Sequence, residues 1–269
     1  MIVLKSSDEI VKMRRAGRVV ADVLAEVAKA ADVGVTTYDL DVIAELVIKD
    51  AGGKPAFKGY YPDFIACGPF PATLCTSVND GVVHGIPDDR PLMDGDLLSI
   101  DTGVEMDGYF GDAAVSLVIG RNAPKARKLA EVASKALTRA IDACYPGNHL
   151  SDVSYAIQST AEAEGYSVVR RFVGHGIGRK MHEDPPVLNY GRPGSGPVLK
   201  PGMVLAIEPM VNMGSYEVEA SPDRWEVRTK DGSLSAHFEH TVAVTEDGPE
   251  VLTVRNGLTS GVEKKASKE

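Results

Sequence analysis

The sequence predicts an α+β fold built from two similar halves. Two helices precede a strand-rich segment, and the same order of elements returns in the second half of the chain. Residues 94–101 align without a gap on residues 201–208, and each segment ends in an acidic residue. A His-Gly-Ile tripeptide also occurs in each half, at His84 and at His175. Such a duplication would place residues of both halves around a shared central cleft.

The first half begins with two amphipathic helices. Ser6 and Glu9 form a capping-box pattern ahead of the first helix. The second follows a turn at Gly34 and ends at Gly52 and Gly53. Apolar residues spaced three and four apart mark the buried faces. They are Ile10, Met13, Gly17, Val20, Leu24, Val27 and Ala31, and then Leu40, Ile43, Ala44, Val47 and Ile48.

The second half repeats this plan. A helix starts near Pro124 and stops before Pro146 and Gly147, and another ends at Gly165. Their apolar faces contain Leu129, Val132, Ala136, Leu137, Ala140 and Ile141, and then Val153, Ile157 and Ala161. Strands are expected at 168–173, 203–208, 225–229 and 235–245, with an irregular surface loop at 189–200. We therefore expect one catalytic domain, 1–261, with halves of about 1–120 and 121–261, and a disordered tail, 262–269.

Composition narrows the classes of function. The 269-residue chain has a net charge of −9, which argues against a protein that binds nucleic acid through a basic surface. Its three cysteines show no C-x-x-C spacing, as expected for reduced thiols. The N-terminus lacks a signal-peptide pattern, and we find no membrane-spanning segment. We expect a soluble cytoplasmic protein.

Two carboxylates stand on either side of a glycine-containing turn. Asp101 ends an apolar segment and Asp112 begins the next, so an antiparallel pairing would bring both acids together. No lysine or arginine lies between Arg90 and Arg121. Buried carboxylates without a cation are costly, so these acids either have abnormal pKa values or bind metal.

Three further residues extend this set. Glu208 and Glu239 lie in apolar strand contexts, and His175 lies between glycines. Each alone could be a turn or strand-end residue, but four carboxylates and one imidazole suit two divalent cations. Mn, Fe(II) and Co(II) fit such oxygen-rich ligands at least as well as Zn, and two ions could activate water for hydrolysis. Residues 174–178 do not match the dinucleotide fingerprint, and His182 with Glu183 does not form H-E-x-x-H.

The five residues, in order and in context, closely resemble the type I methionine aminopeptidases over residues 2–253. The matching motifs are Ser-Ile-Asp101, Gly-Asp112, Gly-His175-Gly-Ile-Gly, Ile-Glu208-Pro and Phe-Glu239-His-Thr. The resemblance implies the duplicated pita-bread fold, with antiparallel strands inside and helices outside. It makes Asp101 a ligand of one metal, Asp112 and Glu239 bridges, and His175 and Glu208 ligands of the other metal.

The same resemblance implies a substrate site. His84 and His182 would contact substrate, and Glu208 would move the proton of the attacking water. The pocket for the first side chain would contain Tyr60, Phe70, Cys75 and Trp225. The implied activity is removal of N-terminal methionine from peptides and nascent proteins when the second residue is small. The ions would be Co, Mn, Fe(II), Zn or Ni, and the enzyme would be a monomer near the ribosome, without stable nucleic-acid or membrane contacts.

Two departures and several alternatives remain open. The segment 62–69 is longer than in compact members of that family, and Met181 stands where an aromatic residue is common. X-Pro aminopeptidases and dipeptidases of the same fold use the same five ligands. A two-metal nuclease could also use this carboxylate set, although the acidic net charge counts against it. A further alternative is a binding module of this fold that has lost its metal. Such a protein should have replaced at least one of the five ligands, and none is replaced here.

Overall fold

Four helices and fifteen strands occur in residues 1–61, 68–220 and 225–254, which this computed structural model describes. The helices are α1 (Ser7–Ala30), α2 (Thr37–Asp50), α3 (Pro124–Asp142) and α4 (Leu150–Glu162). The strands are β1 (Lys54–Pro55), β2 (Cys75–Val78), β3 (Gly81–Val83), β4 (Leu97–Met106), β5 (Tyr109–Val118), β6 (Ser167–Val168), β7 (Gly174–Gly176), β8 (Glu183–Val187), β9 (Val204–Ile207), β10 (Met210–Asn212), β11 (Val218–Ala220), β12 (Val227–Thr229), β13 (Ser235–His237), β14 (His240–Thr245) and β15 (Gly248–Val251). Cys67 and the tail predicted at 262–269 lie outside the described residues.

All four predicted helices are present. At the start of α1, the Glu9 amide donates to Ser6 Oγ over 3.3 Å, and the Ser6 amide donates to Glu9 Oε2 over 2.9 Å. This is the predicted capping box. Pro124 opens α3, where its missing N–H breaks no helical hydrogen bond. The helix periodicity was therefore a sufficient guide to these four elements.

The strands form four antiparallel sheets. In one sheet β4 pairs with β5 on one side and with β1 and β2 on the other. In another the order is β15-β14-β9-β7-β8, and the remaining sheets are β13-β10-β6 and β11-β12-β3. The two aligned segments, 94–101 and 201–208, have corresponding structures. In each, a glycine with positive φ, Gly95 or Gly202, is followed two residues later by the start of a strand, β4 or β9.

Two predicted strands differ from the structure. The strand expected at 168–173 is only β6, and the chain continues through exposed Arg170 and Arg171 before β7. The strand expected at 235–245 is divided into β13 and β14, which pair with different neighbours, β10 and β9. The break falls at Phe238 and Glu239. Sequence alternation does not reveal this change of partner, because both short strands are mostly buried and mix polar with apolar residues. The loop 189–200 lies mostly on the surface as expected, although Asn189 is buried.

The largest hydrophobic core contains residues of all four helices and of the sheets in both halves. Its fully buried members include Leu24, Ile48, Ile100, Leu129, Ile157 and Leu205. No helix in the described part of the chain is both long and apolar enough to cross a bilayer. In this shared core the helices use their apolar faces to cover the sheets.

Gly17 marks a place where α1 lies directly against Gly111 of β5 and against Leu252, which follows β15. A Cβ atom at Gly17 would stand 2.3 Å from the Leu252 carbonyl oxygen. We expect Gly17→Ala to lower the free energy of unfolding by about 1–3 kcal/mol, because the backbone must move apart. Urea unfolding measures this loss. The exposed neighbour Arg18→Ala is the control, and equal stability of both variants would contradict the close approach.

Candidate metal centre and active site

One cavity of about 420 Å³ gathers the candidate residues of both halves. Its lining includes the five proposed ligands, the two proposed substrate histidines and the four proposed pocket residues. These are Asp101, Asp112, His175, Glu208 and Glu239, then His84 and His182, and then Tyr60, Phe70, Cys75 and Trp225. Residues separated widely in sequence therefore meet at one site.

Asp101 and Asp112 reach the cavity because β4 and β5 pair in antiparallel register. Asp101 lies opposite Ala114, and Asp112 lies opposite Gly103. Cross-strand partners and residues two apart share a face, so both acids project to the same side. The amide of Asp112 also donates to Thr241 Oγ1 over 3.0 Å, and that hydroxyl donates back to the Asp112 carbonyl over 2.8 Å. This contact fixes β5 against β14 of the other half.

The acids of the second half stand at strand breaks. Glu208 directly follows β9, ahead of Pro209, and Glu239 lies between β13 and β14. The Phe238 amide donates to the Pro209 carbonyl over 3.2 Å, and the Glu239 amide donates to the Ala114 carbonyl over 3.0 Å. The two breaks therefore face each other and β5.

His175 lies between the acids. Its Nε2 is 3.8 Å from Asp112 Oδ2 and 3.8 Å from Glu208 Oε1. One donor atom each of Asp112, His175 and Glu239 lie within 4.8 Å of one another. His175 Nδ1 is 2.9 Å from the Gly176 carbonyl, which can only accept, so Nδ1 carries a proton. The lone pair of Nε2 then faces the carboxylates, as a metal ligand requires.

Burial gives the carboxylates abnormal pKa values. It raises the pKa of Asp101 from 3.8 to about 7. Burial, and then the charges of Glu239, Asp101 and Glu208, raises the pKa of Asp112 well above its usual value. Burial, and then the charge of Asp101, does the same for the pKa of Glu208. The acids favour their neutral forms when no cation is close.

The donor set fits divalent cations. Oδ1 of Asp101 and Oδ1 of Asp112 are buried and accept no hydrogen bond from the described residues. The ion-pair contacts of Asp112 and Glu208 within these residues are all to histidines. Oxygen ligands with one imidazole suit Mn, Fe, Co or Zn. A metal ion would neutralise the acids and supply the missing partners of these oxygens.

Two neutral histidines flank the ligands. The His182 ring centroid lies 4.2 Å from that of His175, and its Nδ1 lies 2.8 Å from the Tyr60 hydroxyl. Burial lowers the pKa of His182 and lowers that of His84 from 6.5 to about 4. His84 has a φ of 60°, in the left-handed region, and its ring meets that of Phe172 edge to face, with centroids 5.8 Å apart. Both imidazoles can therefore exchange hydrogen bonds with a neutral peptide group.

An apolar pocket adjoins this site. Phe70, Cys75 and Trp225 are buried together, with the partly buried rings of Phe57 and Tyr60 against them. The rings of Phe70 and Trp225 meet edge to face, with centroids 5.3 Å apart. Cys75 pairs with Asp101 across β2 and β4, so the pocket begins beside a proposed metal ligand.

The structure adds residues that the sequence analysis did not assign to the site. His237 is buried, with Nε2 3.7 Å from Glu208 Oε2, and its place two residues before Glu239 was the available signal. Phe57, Arg171 and Phe172 also line the cavity, and no motif pointed to them. Met181 packs in the cluster of Met13, Tyr109 and Ile177. Within the unusual segment 62–69, residues 62–67 lie outside the described residues.

Comparison with known proteins agrees with this geometry. Residues 11–246 match the model of metallopeptidase family M24. A methionine aminopeptidase of Clostridium acetobutylicum is 50% identical over 255 residues, covering 94% of this chain and 99% of that protein. Methionine aminopeptidase 1 of Bacillus subtilis is 48% identical, with coverage of 94% and 99%.

Solved structures show the same relationship. The crystal structure of a methionine aminopeptidase from Thermotoga maritima superposes with a TM-score of 0.90 at 44% identity, covering 94% of this chain and 99% of that one. A prolidase of Pyrococcus horikoshii, 22% identical with a TM-score of 0.75, shares the fold. The predicted pita-bread fold is thus confirmed, and the chain belongs to metallopeptidase family M24, together with the methionine aminopeptidases.

Proposed function

We propose that this chain is a metal-dependent aminopeptidase that removes N-terminal methionine from peptides and nascent proteins whose second residue is small. The observation that carries the proposal is the meeting of the ligand set and the apolar aromatic pocket in one cavity. The relatives of 48–50% identity bear the same activity in their names. We also propose that residues 1–261 form one catalytic domain of two halves.

The proposed metal centre holds two divalent ions, Co, Mn, Fe(II), Zn or Ni. Asp101 would bind one ion, Asp112 and Glu239 both, and His175 and Glu208 the other. Bound ions of this kind lower the pKa of water and polarise a carbonyl group. The buried, uncompensated oxygens of Asp101 and Asp112 support this assignment.

The protein groups complete the chemistry. Glu208 would accept the proton of the attacking water and pass it to the leaving amine. His182 would donate from Nε2 to the scissile carbonyl oxygen, and His84 would hold the scissile amide nitrogen. The free α-amine of the substrate would lie near Asp101, which favours cleavage at the first residue. Tyr60, Phe70, Cys75 and Trp225 would enclose the methionine side chain.

The cellular setting extends this proposal. We propose a monomer that acts in the cytoplasm on chains emerging from the ribosome, without stable binding to nucleic acid or membrane. The net charge of −9 supports the lack of a general nucleic-acid interaction.

The direct test is release of methionine from Met-Ala-Ser. We expect protein stripped of metal to be inactive, and Mn(II) or Co(II) to restore activity with two ions per chain by elemental analysis. Leu-Pro-Phe is the competing substrate. Faster cleavage of Leu-Pro-Phe would replace the proposal with the X-Pro peptidase alternative.

Tyr60 is expected to orient His182. Burial raises the pKa of the Tyr60 hydroxyl, so it stays protonated and donates to His182 Nδ1. The proton of His182 then lies on Nε2, ready to donate to substrate. Tyr60→Phe removes one hydrogen bond of about 1 kcal/mol, so kcat should fall roughly five- to tenfold with metal content unchanged. A larger change in KM than in kcat would show that Tyr60 acts only as pocket wall.

A further inference from the structure

A row of ring side chains leads from the apolar pocket to the solvent. The centroids of Phe70 and Trp225 are 5.3 Å apart, those of Trp225 and His84 6.2 Å, and those of His84 and Phe172 5.8 Å. The Arg171 guanidinium carbon follows, 5.9 Å from the centre of the Phe172 ring. Phe70 and Trp225 are buried and Arg171 is exposed, so the row runs outward.

The row parallels the direction in which a substrate would lie, given the proposed function. The methionine side chain would contact Phe70 and Trp225, and the scissile amide would lie at His84. From the His84 ring, Arg171 is at most about 12 Å away through Phe172. An extended peptide advances about 3.3–3.6 Å per residue. Arg171 is therefore within reach of the third and fourth residues of the substrate.

Arg171 is available for an external partner. Among the described residues that line the cavity, it is the only lysine or arginine. No described carboxylate lies within ion-pair distance of its guanidinium, whose one described contact is the ring of Phe172. Its neighbour Arg170 instead lies over the rings of Tyr190 and Tyr216. A planar guanidinium binds carboxylates through two parallel hydrogen bonds.

We propose that Arg171 forms a subsite for a substrate carboxylate. The carboxylate belongs either to an acidic side chain at the third or fourth residue of the peptide or to the C-terminus of a short peptide. Arg171 thereby favours acidic sequences immediately after the small second residue. Because Arg171 is exposed, the preference is modest, roughly two- to fivefold in kcat/KM, and it weakens with salt.

The test compares peptides that differ only in charge. Met-Ala-Asp-amide, Met-Ala-Asn-amide and Met-Ala-Asn with a free C-terminus separate the two sources of carboxylate, and Met-Ala-Gly-Asp-amide and Met-Ala-Gly-Asn-amide extend the comparison to the fourth residue. We expect metal-loaded wild-type protein to prefer the acidic member of at least one pair, Arg171→Gln to lose that preference, and Arg171→Glu to prefer Met-Ala-Lys-amide instead. Arg192→Gln removes the same charge from an exposed loop site outside the cavity lining, and should retain the wild-type preference.

The outcomes separate this inference from the proposed function. Equal ratios of acidic to neutral kcat/KM in wild type and Arg171→Gln, with methionine still released, would overturn the Arg171 subsite alone. Loss of the preference in Arg192→Gln as well would also overturn it, because a general charge effect would then suffice. Failure of wild-type protein to release methionine from any of these peptides would refute the proposed function instead.

Discussion

Glu239→Ala is expected to lower kcat/KM for methionine release by at least about a hundredfold. Glu239 is buried among the other proposed ligands, with a donor atom close to those of Asp112 and His175. A metal centre supplies several kcal/mol of transition-state stabilisation, and each 1.36 kcal/mol is a factor of ten in rate. Elemental analysis of the purified variant should show reduced metal content alongside the lost activity.

The same variant makes an opposite prediction for stability. The charge of Glu239 helps to raise the pKa of Asp112, so removing it relieves repulsion in metal-free protein. Metal-free Glu239→Ala should melt at a higher temperature than metal-free wild type. His84→Ala is the matched control, because it should turn over slowly while keeping its metal. Full activity and full metal content in Glu239→Ala would contradict the assigned ligand set.

Metal-free protein is expected to lose stability as the pH rises above about 6.5. The folded state holds protons on Asp112 and Glu208, whose pKa values burial raises well above normal, and on Asp101 below its pKa of about 7. The unfolded carboxylates are ionised throughout this range, so folding takes up protons and stability falls with pH. Each retained proton contributes roughly 1.4 kcal/mol per pH unit, or a few degrees in Tm per pH unit.

The histidines define the lower limit of this pH range. Burial lowers the pKa of His175 and His237 from 6.5 to about 3. Below pH 6.5 these histidines bind protons in the unfolded state but not in the folded state, so their contribution to stability rises with pH and opposes that of the carboxylates. Thermal melts in EDTA and in Mn(II) measure the effect. In Mn(II) the slope should reverse, because metal binds the deprotonated ligands. Parallel pH profiles in the two buffers would show that these carboxylates do not bind the ion.

The predictable part of the fold was its local pattern. Periodicity, together with the capping box of α1, identified α1 to α4, and the acids in apolar segments identified four of the five proposed ligands. What sequence could not supply was the change of strand partner at Phe238 and Glu239. That change depends on hydrogen bonds to Pro209 and Ala114, which are distant in the chain.

The surroundings of the site were also beyond sequence reasoning. Nothing local distinguishes Phe57 or Phe172 from ordinary core aromatics, and their positions follow only from the assembled sheets. The hydrogen bond of Tyr60 to His182 joins residues 122 apart in the chain. Motifs thus predict which groups carry the chemistry, whereas long-range packing decides how each group is oriented.

The strand breaks at Glu208 and Glu239 have a consequence for folding. They place carboxylates of the second half close to Asp101 and Asp112 of the first, so ions held between the two halves would cross-link segments that close a long loop. Cross-links of this kind stabilise most when the loop is long, and a ligand that binds only the folded state shifts the folding equilibrium. Metal supply would then govern the lifetime of the enzyme as well as its turnover.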